Sequence, residues 1–502
     1  MWWEKAVFYE IYLPSFADSN CDGIGDFNGI KEKLPYLKEL GIDALWLTPF
    51  YPSPKVDNGY DVADYCDVDS QYGSLQDLED LIQATKNLDM RIIIDVVFNH
   101  TSIKHPWFQA ALQSVESKKR DWYVWRDKPN NWESFFGGSA WEYDEESQQY
   151  YYHSFAKEQA DLNWHHPAVK QSIFQILDFW IEKGIDGFRF DVINNLTVNT
   201  NFEDNPVDEN GRQIHQNDVN QKGILTVLKE INAHIKKRNT ELFTVAEISS
   251  DDLQVINQYV GSDLFDTAFN FNLGSQEKLN LNYFARQYKA MNTTGKLPTL
   301  FFNSHDMSRS WERLAKENRD IYQLLIVLLT INNGITFLFQ GEELGLGDFV
   351  PSNLTETRDI QAKNKYFELL PTEGEVKAMA AANLVNRDLS RGMLPFNMNG
   401  WIGPSKVNES EKIITAGYKA LIELRHKEGP FLPLKQIQTK NDLLSYSSGD
   451  IHVILNFSEK PRQVELLEYT TWQTLWSYNA SHLEKNKIYL PQRAGWIGKR
   501  NT

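Results

Sequence analysis

The stretch GFRFDVINN, residues 187–195, decides the fold. It reads as a short buried strand that ends in Arg189 and Asp191. Side chains two apart on a strand point to the same face, so this cation and this carboxylate look into one cavity. Charged groups on an inward face are costly unless paired or working. Three further apolar runs end in the same way. RIIIDVVFNH (91–100) delivers Asp95, Asn99 and His100; FTVAEIS (243–249) delivers Glu247; TLFFNSHD (299–306) delivers His305 and Asp306. Polar tips on successive apolar strands are the pattern of a parallel α/β barrel, whose active site is built at the strands' C-terminal ends.

Working outward from these four runs, strands are also expected at 6–13, 44–48, 265–271 and 335–339, with the four above trimmed to 91–98, 186–191, 243–248 and 299–303. Amphipathic helical patterns separate most of them, at 28–41, 74–88 (with Ser74 as N-cap), 169–183 and 319–333. Eightfold strand–helix alternation predicts a closed (β/α)8 TIM barrel with its helices outside. Two connections exceed the usual loop median of about 4–6 residues. Residues 101–166, rich in Trp, Tyr and Gly, read as an inserted domain after the third strand, and 340–411 as a second lid. A last helix at about 412–428 precedes short alternating strands in DLLSYSSGDIHVILNFS, RQVELLEYT and KIYLPQ. The expected domains are therefore a barrel over 1–100 and 167–430, an insertion over 101–166 and an antiparallel β-sandwich over 431–502.

The 502-residue chain carries 41% hydrophobic and 24% charged residues, an ordinary globular composition. A net charge of −17 argues against nucleic acid and anionic membranes, which need Lys/Arg stripes. It suits a neutral substrate, and the 15 Trp suit stacking on sugar faces. Cys21 and Cys66 cannot build a disulfide framework and lack metal-site spacing. Neither a signal peptide nor an 18-residue apolar span is visible, so a cytoplasmic protein, monomeric or weakly dimeric, is expected.

GIDALWLTP, NGYDVADY, DVVFNH, QADLN, GFRFDV, AEIS, FFNSHD and LFQGEELG follow one another in this order. Together they resemble the motif set of glycoside hydrolase family 13, the α-amylase family, in its α-glucosidase and oligo-1,6-glucosidase branch. The resemblance implies a retaining α-glycosidase acting on short oligosaccharides, with Asp191 as nucleophile, Glu247 as general acid/base and Asp306 as the third carboxylate. His100 and His305 would bind hydroxyls of the sugar being cleaved, beside Tyr60 of the NGYDVADY motif and Arg189. Asp61 and Arg391 would clamp the terminal hydroxyl, making the enzyme exo-acting. Where the family usually reads like RTPMQW, this chain has Arg-Gly-Met-Leu-Pro-Phe after Ser390. Val192 after the nucleophile, and QADLN, resemble enzymes that prefer α-1,6 bonds; a β-branched residue there also suits strand packing.

The chemistry asks for the same arrangement independently. Retention needs two carboxyls about 5–5.5 Å apart, one attacking and one shuttling a proton. Arg189 would keep Asp191 ionised, and a neighbouring carboxylate would keep Glu247 protonated.

Asp18, Asn20, Asp22 and Asp26 occupy positions 1, 3, 5 and 9 of a calcium-type loop with Gly23 at position 6. Gly29 at position 12 excludes an EF-hand. The loop resembles one that holds structural Ca2+, with Mg2+ as the alternative, in the oligo-1,6-glucosidase branch; Ile24 would add its carbonyl. A metal-free Asx-turn loop is the alternative reading of the same residues. Two other functions stay open: a transglucosylase or sucrose isomerase on this scaffold, and a non-catalytic barrel of the transporter heavy-chain type.

Overall fold

The computed structural model describes all residues except 398, 399, 401, 408, 467–470 and 502. Eight parallel strands form the barrel: β1 (Val7–Ile11), β2 (Ala44–Leu47), β3 (Arg91–Val96), β4 (Gly187–Phe190), β5 (Phe243–Ala246), β6 (Thr267–Ala268), β7 (Thr299–Leu300) and β8 (Ile335–Phe339). They are ordered 6-5-4-3-2-1-8-7. The expected helices are present at Phe27–Leu40, Leu75–Asn87, Pro167–Lys183, Arg319–Thr330 and Glu411–Glu428. Ser74 caps the second in a capping box with Asp77. The β5–β6 connection departs from the alternation, holding a turn of helix, Leu253–Ile256, followed by a 3-10 turn.

Strand periodicity sorts the barrel interior into layers. Phe8, Ala44, Ile93, Phe243, Val245, Ile335 and Phe337 form an apolar floor with Trp3 and Trp46. Two residues further along the same faces come Glu10 after Phe8, Asp95 after Ile93, and Glu247 after Val245. The interior thus changes from hydrocarbon to carboxylate at the strand ends. Gly187 opens β4 because the strands approach closely there: a Cβ would lie 2.2 Å from the Phe243 carbonyl oxygen.

β6 and β7 are far shorter than the expected 265–271 and 299–303. The seam between them is bridged by side chains instead of a ladder. The Thr299 amide donates to Asn270 Oδ1 at 2.9 Å, the Asn270 amide to Thr299 Oγ1 at 2.8 Å, and Thr267 Oγ1 to the Leu297 carbonyl at 2.7 Å. Thr and Asn side chains can take over backbone partners in this way.

Between β3 and the helix Pro167–Lys183, His100–Ser102 pairs with Gln159–Asp161, and Trp125–Arg126, Gln149–Tyr152 and Trp141–Asp144 form a second antiparallel sheet. After β8, the helices Ile360–Glu373 and Glu375–Leu384 pack as a hairpin. The C-terminal strands form a five-stranded and a three-stranded antiparallel sheet, packed through Ile454, Ile488, Leu490 and Trp496. The strand read in RQVELLEYT is Arg462–Glu465, and 467–470 lie outside the described residues. No described helix is long and apolar enough to cross a membrane.

Candidate active site

Asp95, Arg189 and Val245 are register partners on β3, β4 and β5. Arg189 therefore sits between two neighbouring strands and reaches the acids that each delivers. Its Nη1 donates to Asp95 at 2.8 and 3.0 Å and to Asp191 Oδ1 at 2.6 Å, and its Nη2 donates to Glu247 Oε2. One guanidinium, 2% exposed, thus serves three carboxyls. Asp191 lies just past β4, where its amide donates to the Val96 carbonyl at 3.1 Å. Val192 then turns the chain with φ +34°, a region β-branched residues rarely adopt. Its amide donates to Glu247 Oε2 at 3.3 Å.

The electrostatics follow from three acids around one cation. Burial pushes the Asp191 carboxyl up, against the pull of Arg189, with Asp95 adding to the rise. The expectation that Arg189 keeps Asp191 low is not met, because burial outweighs the pull of that charge. Burial likewise raises Glu247 to about 7, opposed by Arg189 and assisted by Asp191 and Asp306. A hydrogen bond between Glu247 and Asp191 raises the former and lowers the latter. Asp306 is the opposite case. Burial raises it, but His305, Arg387, Arg391 and Arg189 together hold it well below the usual carboxylate range.

His305 stands behind Asp306 rather than on the cavity surface. Its Nε2 is 3.2 Å from Asp306 Oδ2 and 2.8 Å from the Tyr60 hydroxyl, while Nδ1 faces Glu10 Oε1. Tyr60 gives its own proton to Asp95 Oδ2 at 3.0 Å, so it accepts from His305 Nε2. His100 lines the cavity, and burial lowers it to about 4, leaving a neutral imidazole. Its Nε2 lies 3.0 Å from both the Tyr60 carbonyl and Gln159 Nε2.

The expected clamp is corrected in both members. Asp61 is fully buried and its oxygens are taken by Ser53 Oγ at 2.9 Å and by the amides of Val56 and Asp57 at 2.9 and 3.1 Å. It shapes the loop, and Asp57 is the residue that lines the cavity. Arg391 donates to Asp306 Oδ1 at 2.8 Å and to the His305 carbonyl at 2.7 Å. Arg387, one turn earlier, lines the cavity and pairs with Asp57 at 2.7 Å and Asp359 at 2.6 Å. Asp57 and Arg387 were missed because each shares its motif with a second residue of its own kind, in loops without periodicity.

Asp57, Tyr60, His100, Asp191, Glu247, Asp306 and Arg387 form the polar end of one cavity of about 450 Å3, within the range of small-ligand pockets, roughly 300–1,000 Å3. Phe136 and Phe155 of the 101–166 segment wall it on one side. The Asp18–Asp26 loop is organised by its own hydrogen bonds. Asp18 accepts amides of Asn20, Cys21 and Gly23; Asn20 and Asp22 accept those of Asp22 and Ile24; Asp26 caps the following helix through the Gly29 amide. No group of three or more His, Cys, Asp or Glu suited to a metal gathers among the described residues.

Residues 10–398 match the alpha-amylase catalytic domain. The oligo-1,6-glucosidase of Bacillus cereus is 34% identical over 90% of this chain and 86% of its own. The glucan 1,6-alpha-glucosidase of Streptococcus pneumoniae is 37% identical over 78% and 74%. The trehalose-6-phosphate hydrolase structure from Bacillus licheniformis, at 31% identity, superposes over the whole of both chains with a TM-score of 0.89. With a barrel that gathers Asp191, Glu247 and Asp306 at its strand ends, the chain belongs to the alpha-amylase family of glycoside hydrolases.

Proposed function

We propose that this protein is a retaining, exo-acting α-glucosidase that releases glucose from the non-reducing ends of short neutral oligosaccharides, preferring α-1,6 bonds. The observation that carries the reading is the convergence of Asp191 and Glu247 on Arg189, with Asp306 lining the same cavity. Asp191, as the anion, attacks C1, while Glu247 gives its proton to the departing glycosidic oxygen. Glu247, now a carboxylate, takes a proton from the water that cleaves the ester. Asp306, held ionised by its cations, accepts sugar hydroxyls. The Asp57–Arg387 pair on the cavity wall, suited to hold a terminal hydroxyl, supports an exo mode. The named activities of the relatives and Val192 support the α-1,6 preference. A phosphorylated sugar fits less well: Arg387, the cation on the cavity surface among the described residues, is already flanked by three carboxylates, Asp57, Asp359 and Asp306.

The test is incubation with isomaltose, maltose and sucrose, with free glucose and transfer products resolved. Isomaltose cleaved faster than maltose with glucose as main product is expected; isomerised or transferred sugars as main products favour the transglucosylase. The pH dependence is a second expected outcome. As pH falls, Asp191 takes up a proton, at a pH above the ordinary carboxylate value of about 4. As pH rises past about 7, Glu247 loses its proton. A narrow bell in kcat/KM should result, and a flat plateau from pH 5 to 9 would sink the assignment.

Under the same reading the Asp18–Asp26 loop holds a structural Ca2+. Five hard oxygen donors, from Asp18, Asn20, Asp22, Asp26 and the Ile24 carbonyl, fall within nine residues and support it. The ion would supply loop order and takes no part in bond cleavage. Chelation is expected to lower Tm while turnover at low temperature is kept. An unchanged Tm, with no bound metal by elemental analysis, counts against it.

A further inference from the structure

Beyond its carboxylates the cavity changes character. Its lining also presents Met307, Leu384, Val385 and Leu389, together with Phe136 and Phe155. Leu384 is 86% exposed and Val385 36%, so large apolar side chains stand open at a cavity mouth. Such surface is usually covered by a partner or ligand. Three neutral polar residues share this wall, and two are committed elsewhere. Ser308 Oγ donates to Asp348 Oδ2 at 2.5 Å. Asn386 Oδ1 accepts the Asp388 amide at 2.9 Å, and its Nδ2 donates to Asn383 at 3.3 Å. Of these three, Gln361 offers a side-chain amide without a hydrogen bond among the described residues. A leaving group that carries an alkyl chain would meet hydrocarbon over most of this wall.

We propose that this apolar wall is a binding site for an apolar leaving group, so that α-glucosides of medium-chain alcohols are substrates and those alcohols are acceptors. The inference rests on the α-glucosidase reading and names a substrate class for the same site. Cleavage balances as before: C1 bonds to Asp191 as the C1–O bond breaks, and the alkoxide takes the Glu247 proton. In transfer the alcohol oxygen bonds to C1, its proton goes to Glu247, and the Asp191 ester opens. An alkyl chain leaving the scissile oxygen would run along Met307 and Val385 to Leu384, trading open apolar surface on both sides for contact.

The experiment compares methyl, butyl and hexyl α-D-glucoside, whose leaving groups differ little in acidity, with isomaltose as reference. kcat/KM is expected to rise about 10-fold or more from methyl to hexyl, mostly through KM. Leu384→Gln, at a site exposed enough to leave the fold intact, should remove most of that ratio. Isomaltose cleavage with equal kcat/KM for the three glucosides overturns the apolar site and leaves the glucosidase reading standing. The same holds if the hexyl gain survives Leu384→Gln. Failure to cleave any of the four overturns both.

Discussion

A glucosyl adduct on Asp191 accumulates when Glu247→Gln is briefly exposed to α-glucosyl fluoride. Fluoride leaves without a proton, so the first step survives the loss of the acid, while the second lacks its base. Azide needs no base and should restore turnover, giving the α-azide. Asp191→Asn keeps the shape of the site and loses the nucleophile. It should trap nothing, with turnover lowered by roughly 10^4-fold or more, the scale seen when a covalent nucleophile is removed. Intact-protein mass spectrometry of both variants decides. An adduct on Asp191→Asn, or a β-azide from Glu247→Gln, would reverse the two roles.

The second large effect concerns stability. Arg189→Met removes the cation that Asp95, Asp191 and Glu247 share. Leaving buried charges unpaired costs about 3–5 kcal/mol. The sign with pH follows from the directions. Asp95 and Glu247 are raised to about 6 and about 7 by burial, above their unfolded values. Their protonated forms therefore favour the fold at low pH, and this contribution is lost as pH rises through those values. Without Arg189 the main offset to that loss is gone, so the drop in Tm should be larger at pH 8 than at pH 5. Equal drops at both, measured by thermal melts, would show that the residue acts by packing alone.

The residues legible in advance are those tied to strand periodicity. Asp191, Glu247 and Asp306 end apolar runs, so their convergence follows once the runs close into a barrel. Positions set by irregular backbone were not legible. Asp57 and Asp61 lie four apart in one loop, and which faces the cavity depends on the turn that Ser53 and Val56 impose. Arg387 opens a single 3-10 turn, Arg387–Leu389, and Arg391 lies just beyond it, with the same ambiguity. The β5–β6 helix failed differently: alternation elsewhere suggested it, and the local sequence supports only a turn or two.

The seam between β6 and β7 has a mechanical consequence. A barrel laddered everywhere resists sliding along every strand pair, whereas here Asn270 and Thr299 act as two pegs in place of a rail. One lip of that joint continues beyond β7 into Asp306, while Asp191 and Glu247 stand on fully laddered strands. The attacking pair therefore follows strands laddered to each other, while Asp306 follows the strand beside the pegged seam and owes its place to the side chains of Arg391 and His305.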